Sequence, residues 1–99
     1  MVKHIVLWDF KEELNDEERS VAAINLKDTL EPLSSQIEGV VSLKVVINEM
    51  SGSTKEIALI SEFVSEEALN AYQIHPLHVE AGKYVKTVTK DRVCFDFEA

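Results

Sequence analysis

From Val2 to Phe10 the chain alternates, with His4, Val6, Trp8 and Phe10 on one side of an extended segment and Lys3, Ile5, Leu7 and Asp9 on the other. Large apolar groups stand on both sides, which predicts a strand covered on both faces. After Asn15, with Glu18 three residues further on, the period changes. Ala22, Leu26, Leu30, Leu33 and Ile37 recur every three or four residues, the apolar stripe of an amphipathic helix behind a capping signature. Pro32 lacks a backbone donor and disfavours helical angles at Glu31, so this helix should kink or stop near it, with Gly39 closing the segment.

Period two returns in Val40 to Met50, where Val41, Leu43, Val45 and Ile47 oppose Ser42, Lys44, Val46 and Asn48, a half-buried strand. Ser51-Gly52-Ser53 supplies a turn. Ile57 to Val64 is again apolar on both sides, with Ile57, Leu59 and Phe63 opposite Ala58, Ile60 and Val64, and so predicts a central strand. Ser65 followed by Glu66 and Glu67 suits the free amides at the start of a short helix through Leu69 and Tyr72. His75-Pro76 interrupts it. Pro76 fits the first position of a renewed helix that turns Leu77, Ala81, Tyr84, Val85 and Val88 inward, with Lys83, Lys86 and Lys90 forming a solvated face toward its carboxyl end. Arg92 to Phe97 closes the chain as a strand, Val93, Phe95 and Phe97 on one side and Arg92, Cys94 and Asp96 on the other.

Strand, helix, strand, strand, helix, strand is the order of a ferredoxin-like α+β fold, βαββαβ with a four-stranded antiparallel sheet, here a single domain over residues 1–99. Such a sheet has its first and third strands in the middle, and those are the two that read apolar on both faces. Helices can cover only one face. The other, carrying Leu7 or Trp8 according to register, needs a second cover, and a homodimer through this sheet face is the simplest.

Composition narrows the partners. With 45% hydrophobic and 28% charged residues the chain can build one small core. Eighteen acidic against 10 basic residues leave a net charge of −8, the wrong sign for nucleic acid or an anionic membrane surface. The lone Cys94 cannot make an internal disulfide, and no window approaches the roughly 18 apolar residues of a membrane span. The opening residues lack the pattern of a signal peptide, so a cytoplasmic location is expected. Gly39, Gly52 and Gly82 form no phosphate-cradling loop, and His4, His75 and His78 lack a dedicated metal-ligand spacing, so no cofactor and no metal are expected.

Lys3-His4-Ile5-Val6-Leu7, Ile37-Glu38-Gly39-Val40, the stretch from Phe63 through Ser65-Glu66-Glu67-Ala68-Leu69 to Tyr72, His75-Pro76-Leu77-His78 and the closing Arg92 to Phe97 together resemble the stress-responsive α/β-barrel (Dabb) family. The resemblance spans essentially the whole chain, and His-Pro-x-His three residues after a tyrosine is its most specific piece. It implies a dimeric α+β barrel, two ferredoxin-like sheets packed face to face, and no single activity. A plant member of that family closes a linear polyketide by aldol condensation with a tyrosine and a histidine. These correspond to Tyr72 and His78, and His4 corresponds to a further histidine of its pocket.

The chemistry of the residues agrees with such a site and with a plainer one. A neutral imidazole can take an acidic proton beside a carbonyl while a phenol steadies the oxyanion. His78, in the first turn of the renewed helix, is kept neutral by the positive dipole end, which suits a base and equally a quiet scaffold histidine. Tyr72 can be a packed aromatic, His4 a satisfied core group and His75 a helix cap. If Tyr72 and His78 share a pocket, His4 and His75 should lie near it and Ile5 and Leu59 should form its walls. On an unbroken helix the two would sit about 120° apart, so the Pro76 break must bring them together. Three functional readings stay open: a noncatalytic dimer that binds a small apolar or carbonyl ligand, a cofactor-independent cyclase or lyase using Tyr72 and His78, and a haem- or flavin-linked monooxygenase of the related dimeric barrels.

Overall fold

The computed structural model describes residues 1–99. Strand β1 (Val2–Phe10) leads to helix α1 (Asp16–Leu30) and a 3-10 segment (Glu31–Ser35). Strands β2 (Val40–Ile47) and β3 (Ile57–Phe63) form a hairpin, and helices α2 (Glu66–Ile74) and α3 (Pro76–Val88) precede strand β4 (Thr89–Glu98). All neighbours in the sheet are antiparallel, in the order β2-β3-β1-β4. The two strands apolar on both sides are therefore the central ones.

Local chemistry fixes the elements as the pattern requires. Asn15 Oδ1 accepts from the Glu18 amide at 2.8 Å while Glu18 Oε1 accepts from the Asn15 amide at 3.0 Å, so two orphan donors at the start of α1 are satisfied reciprocally. Helix α1 stops at Leu30, and Pro32 continues as the tighter 3-10 turn, which still buries Leu33. Gly39 has φ +87°, and a Cβ there would lie 2.7 Å from Ala68 Cβ, so this crossing between the 3-10 segment and α2 admits only glycine. Val2, Val6, Trp8, Phe10, Ile57, Leu59 and Phe63 on the inner face of the sheet pack with Leu26, Leu30, Leu69, Tyr72 and Val85 of the helices in one continuous core.

Three details depart from the sequence pattern. A register shift between Val40 and Ser42 rotates Val41 outward, leaving it 43% exposed where alternation put it inside, because a bulge moves every earlier side chain to the other face. Strand β4 starts at Thr89 rather than Arg92, directly out of α3, with Asp91 at φ 54° and a second register shift opposite Leu7 and Asp9. Leu77, read as inward-facing, is exposed on the first turn of α3.

The outer face of the sheet is uncovered and largely apolar. Ile5 lies between Ile60 and Phe95, and Leu7 between Ala58 and Val93. Phe95 is 67% exposed, and its ring packs against that of Phe97 at 5.9 Å. Trp8 belongs to the inner face, so Leu7 is the residue left outside.

Candidate functional site

Helix α2 is capped by Ser65, whose Oγ accepts from the Ala68 amide at 3.1 Å, and it ends because Pro76 drives the preceding residue out of helical angles. His75 adopts φ −65° and ψ 136°, and its Nδ1 accepts from the Leu77 amide at 3.1 Å, capping α3. Phase is thereby reset between the two helices. Tyr72, in the last turn of α2, and His78, in the first turns of α3, come into contact with ring centroids 4.3 Å apart. A continuous helix would have splayed them.

Four rings line up from sheet to helix. His4 meets Phe63 edge-on at 6.2 Å, Phe63 lies 5.0 Å from Tyr72, and Tyr72 lies against His78. The Tyr72 hydroxyl is buried and has no hydrogen-bond partner among the protein's own groups. Burial pushes its pKa up to about 12, so the phenol keeps its proton and remains a donor at neutral pH. The Nδ1 of half-buried His78 lies 3.1 Å from the Gln73 carbonyl oxygen, to which it donates, leaving Nε2 as the free lone pair. Burial holds the His78 pKa below its ordinary value; the Gln73 bond works against this, and the charges of His4, Arg92 and His75 add to it. At neutral pH His78 is an uncharged base beside a protonated phenol.

The second imidazole is anchored from the edge strand. His4 is buried, its Nδ1 pairs with the Asp96 carboxylate, and its carbonyl oxygen accepts from Ser61 Oγ at 2.7 Å. The bond from Nδ1 to the carboxylate fixes the orientation of the ring.

These groups surround one cavity of about 590 Å³ between sheet and helices. His4, Val6, Trp8 and Leu59 form its floor, Tyr72, His78 and Val85 its helical wall, and Lys86, Lys90, Arg92 and Cys94 stand where it meets solvent. Of the site residues read from the sequence, Tyr72, His78, His4 and Leu59 line it. Ile5 does not: it alternates with His4 and points to the outer face of the sheet. His75 does not line it either, because its ring is engaged at the start of α3. The three histidines form no group able to hold a metal ion.

Four cavity features escaped the sequence pattern. Lys86 and Lys90 read as a solvated face yet stand at the rim, Arg92 faces the cavity, and Asp96 partners His4. The signal was present in β4. Arg92, Cys94 and Asp96 alternate against Val93, Phe95 and Phe97, and the β1 pairing sets Cys94 beside Val6 and Asp96 beside His4.

Comparison with known proteins gives a consistent picture. The family model described as Stress responsive A/B Barrel Domain matches residues 2–99. A dimeric protein of unknown function with a ferredoxin-like fold from Bacteroides fragilis is 36% identical, with a TM-score of 0.90 and coverage of 99% of this chain and 95% of that one. A protein of Arabidopsis thaliana is 24% identical with a TM-score of 0.77, covering 100% and 95% of the two chains. A Dabb-family protein with a ferredoxin-like fold from Mesorhizobium loti is 19% identical with a TM-score of 0.75, covering 99% and 95%. Among curated proteins nothing matches.

Proposed function

Because the chain belongs to the stress-responsive A/B barrel (Dabb) family and has one uncovered apolar sheet face with a cavity on the other, we propose that it forms a homodimer through the uncovered face and that each protomer binds a small carbonyl compound and acts on it by acid–base chemistry. The observation that carries this reading is the buried, unpartnered Tyr72 hydroxyl in contact with His78 at the wall of an open cavity. A scaffold tyrosine buried to this degree would ordinarily have found a partner. His78 Nε2 takes a proton from the carbon beside the carbonyl, and the Tyr72 hydroxyl donates to the oxygen on which charge develops. The carbanion equivalent then attacks a second carbonyl carbon, whose oxygen takes up the proton held on His78, as in an aldol closure, or it regains that proton itself. The His4–Asp96 pair presents a second oriented imidazole to the same space.

The outer sheet face supports the dimer. Ile5, Leu7, Ile60, Phe95 and Phe97 form an apolar surface that a second sheet can cover, burying on the order of 1,000 Å² or more. The dimeric state of the Bacteroides fragilis relative supports it.

Exchange of the methyl hydrogens of acetophenone in deuterated buffer, followed by proton NMR, tests the chemistry with the intact protein. The protein should accelerate exchange, His78→Ala should lower that rate by about 100-fold or more, and Tyr72→Phe by a smaller factor, with the fold retained. Exchange at the buffer rate would overturn the catalytic reading, and binding without exchange would leave a noncatalytic ligand-binding dimer.

A further inference from the structure

We propose that the ligand of this cavity is a carbonyl compound bearing a carboxylate, held at the rim by Arg92 and Lys86 while its carbonyl reaches Tyr72 and His78. The inference rests on the carbonyl reading above and adds the class of substrate.

Charge is the first observation. The protein carries a net charge of −8, yet the cavity rim gathers Lys86, Lys90 and Arg92 against the single acid Asp91. Lys90 is already engaged by Glu12 at 2.6 Å and faces Asp91 at 4.0 Å. Lys86 and Arg92 have no carboxylate partner and are exposed at the mouth. In so acidic a molecule two unpaired cations beside one opening attract an anion there and repel a cation, and low-dielectric walls strengthen the effect.

Position is the second. Arg92 follows the turn at Asp91 on β4, two residues before Cys94, and its charge is felt at His78. Arg92, Tyr72 and His78 line the same cavity, so an anion docked on Arg92 is within reach of the acid–base pair. A guanidinium takes a carboxylate through two parallel hydrogen bonds, which orients the ligand as well as holding it. Behind the cations the floor is apolar, with Val6, Trp8 and Leu59, so the body of the ligand is an acyl or aryl group. Docking also has a chemical consequence: a bound carboxylate offsets the Arg92 charge at His78 and makes the base stronger when substrate is present.

The test compares 4-oxo-4-phenylbutanoate with its methyl ester, which has the same ketone and ring but no charge. Calorimetric titration of the intact protein at neutral pH and low salt should give the acid an affinity at least about tenfold higher. That preference should shrink at high salt. In the Arg92→Gln/Lys86→Gln double variant the acid should lose its advantage over the ester. Equal affinities in the natural protein would overturn the carboxylate inference and leave the carbonyl reading standing, whereas binding of neither compound would count against both. A double variant that keeps the acid preference would overturn the assignment to these two residues.

Discussion

Replacing Tyr72 by phenylalanine removes one oxygen and leaves the ring against Phe63 and His78. In most proteins a buried tyrosine hydroxyl is hydrogen-bonded, and its loss destabilises by about 0.5–1.5 kcal/mol. Here no protein group accepts from the hydroxyl and its oxygen is shielded from bulk water, so burying it costs about 1–3 kcal/mol. Setting a small loss of packing against that cost, Tyr72→Phe should stabilise the protein by about 1 kcal/mol. In a chain of this length such a gain raises the melting temperature by roughly 4–8 °C. Urea unfolding followed by Trp8 emission measures it directly, with both proteins at one protomer concentration because stability is coupled to assembly in a dimer. The comparison has an alkaline extension. Folded Tyr72 holds its proton to about pH 12, whereas the unfolded chain releases it near 10, so between those values this group costs the natural protein stability that the variant keeps. Two pK units correspond to about 2.7 kcal/mol at most. A variant that is less stable at neutral pH by about 0.5 kcal/mol or more would show that the hydroxyl is satisfied in the folded protein and would refute the reasoning.

The acid limb of the acetophenone exchange rate should report an apparent pKa below 6.5, since burial keeps His78 neutral, and Arg92→Gln should move that limb toward higher pH by removing a positive neighbour; a limb at or above 6.5 would count against His78 as the base. Gly39→Ala should destabilise by about 2–4 kcal/mol in the same urea assay, because it combines a positive φ with a Cβ driven against Ala68. Phe95→Lys should convert the dimer to a monomer in sedimentation experiments while the cavity residues stay in place, and a variant that sediments as a dimer would direct attention to another surface.

Much of the architecture was legible from alternation and helical spacing, because each element's burial follows its own residues. The doubly apolar β1 and β3 read as central, and Asn15 with Glu18 read as a helix start, since both signals are local. The outward turn of Val41 was not legible, because a bulge is a property of the pairing between strands. The same distinction governs the site. Tyr72, His78 and His4 could be named from motifs that resemble the family's, whereas alternation put Arg92 and Asp96 on one side of β4 but their roles arise only when β4 lies beside β1. Ile5 was misassigned for the opposite reason. Its strand was correct, but proximity to His4 in sequence is opposition in space, as successive side chains leave a strand on opposite sides.

That opposition divides β1 by parity. Even-numbered positions, Val2 to Phe10, build the core and the cavity floor, while the odd-numbered Lys3, Ile5, Leu7 and Asp9 belong to the outer face. Two kinds of selection can therefore act on one nine-residue segment with little interference. Substitutions at even positions retune what the cavity accepts, and those at odd positions retune what the sheet packs against. Insertion or deletion of a single residue would exchange the two sets at once, so this strand can tolerate many substitutions but almost no change in length.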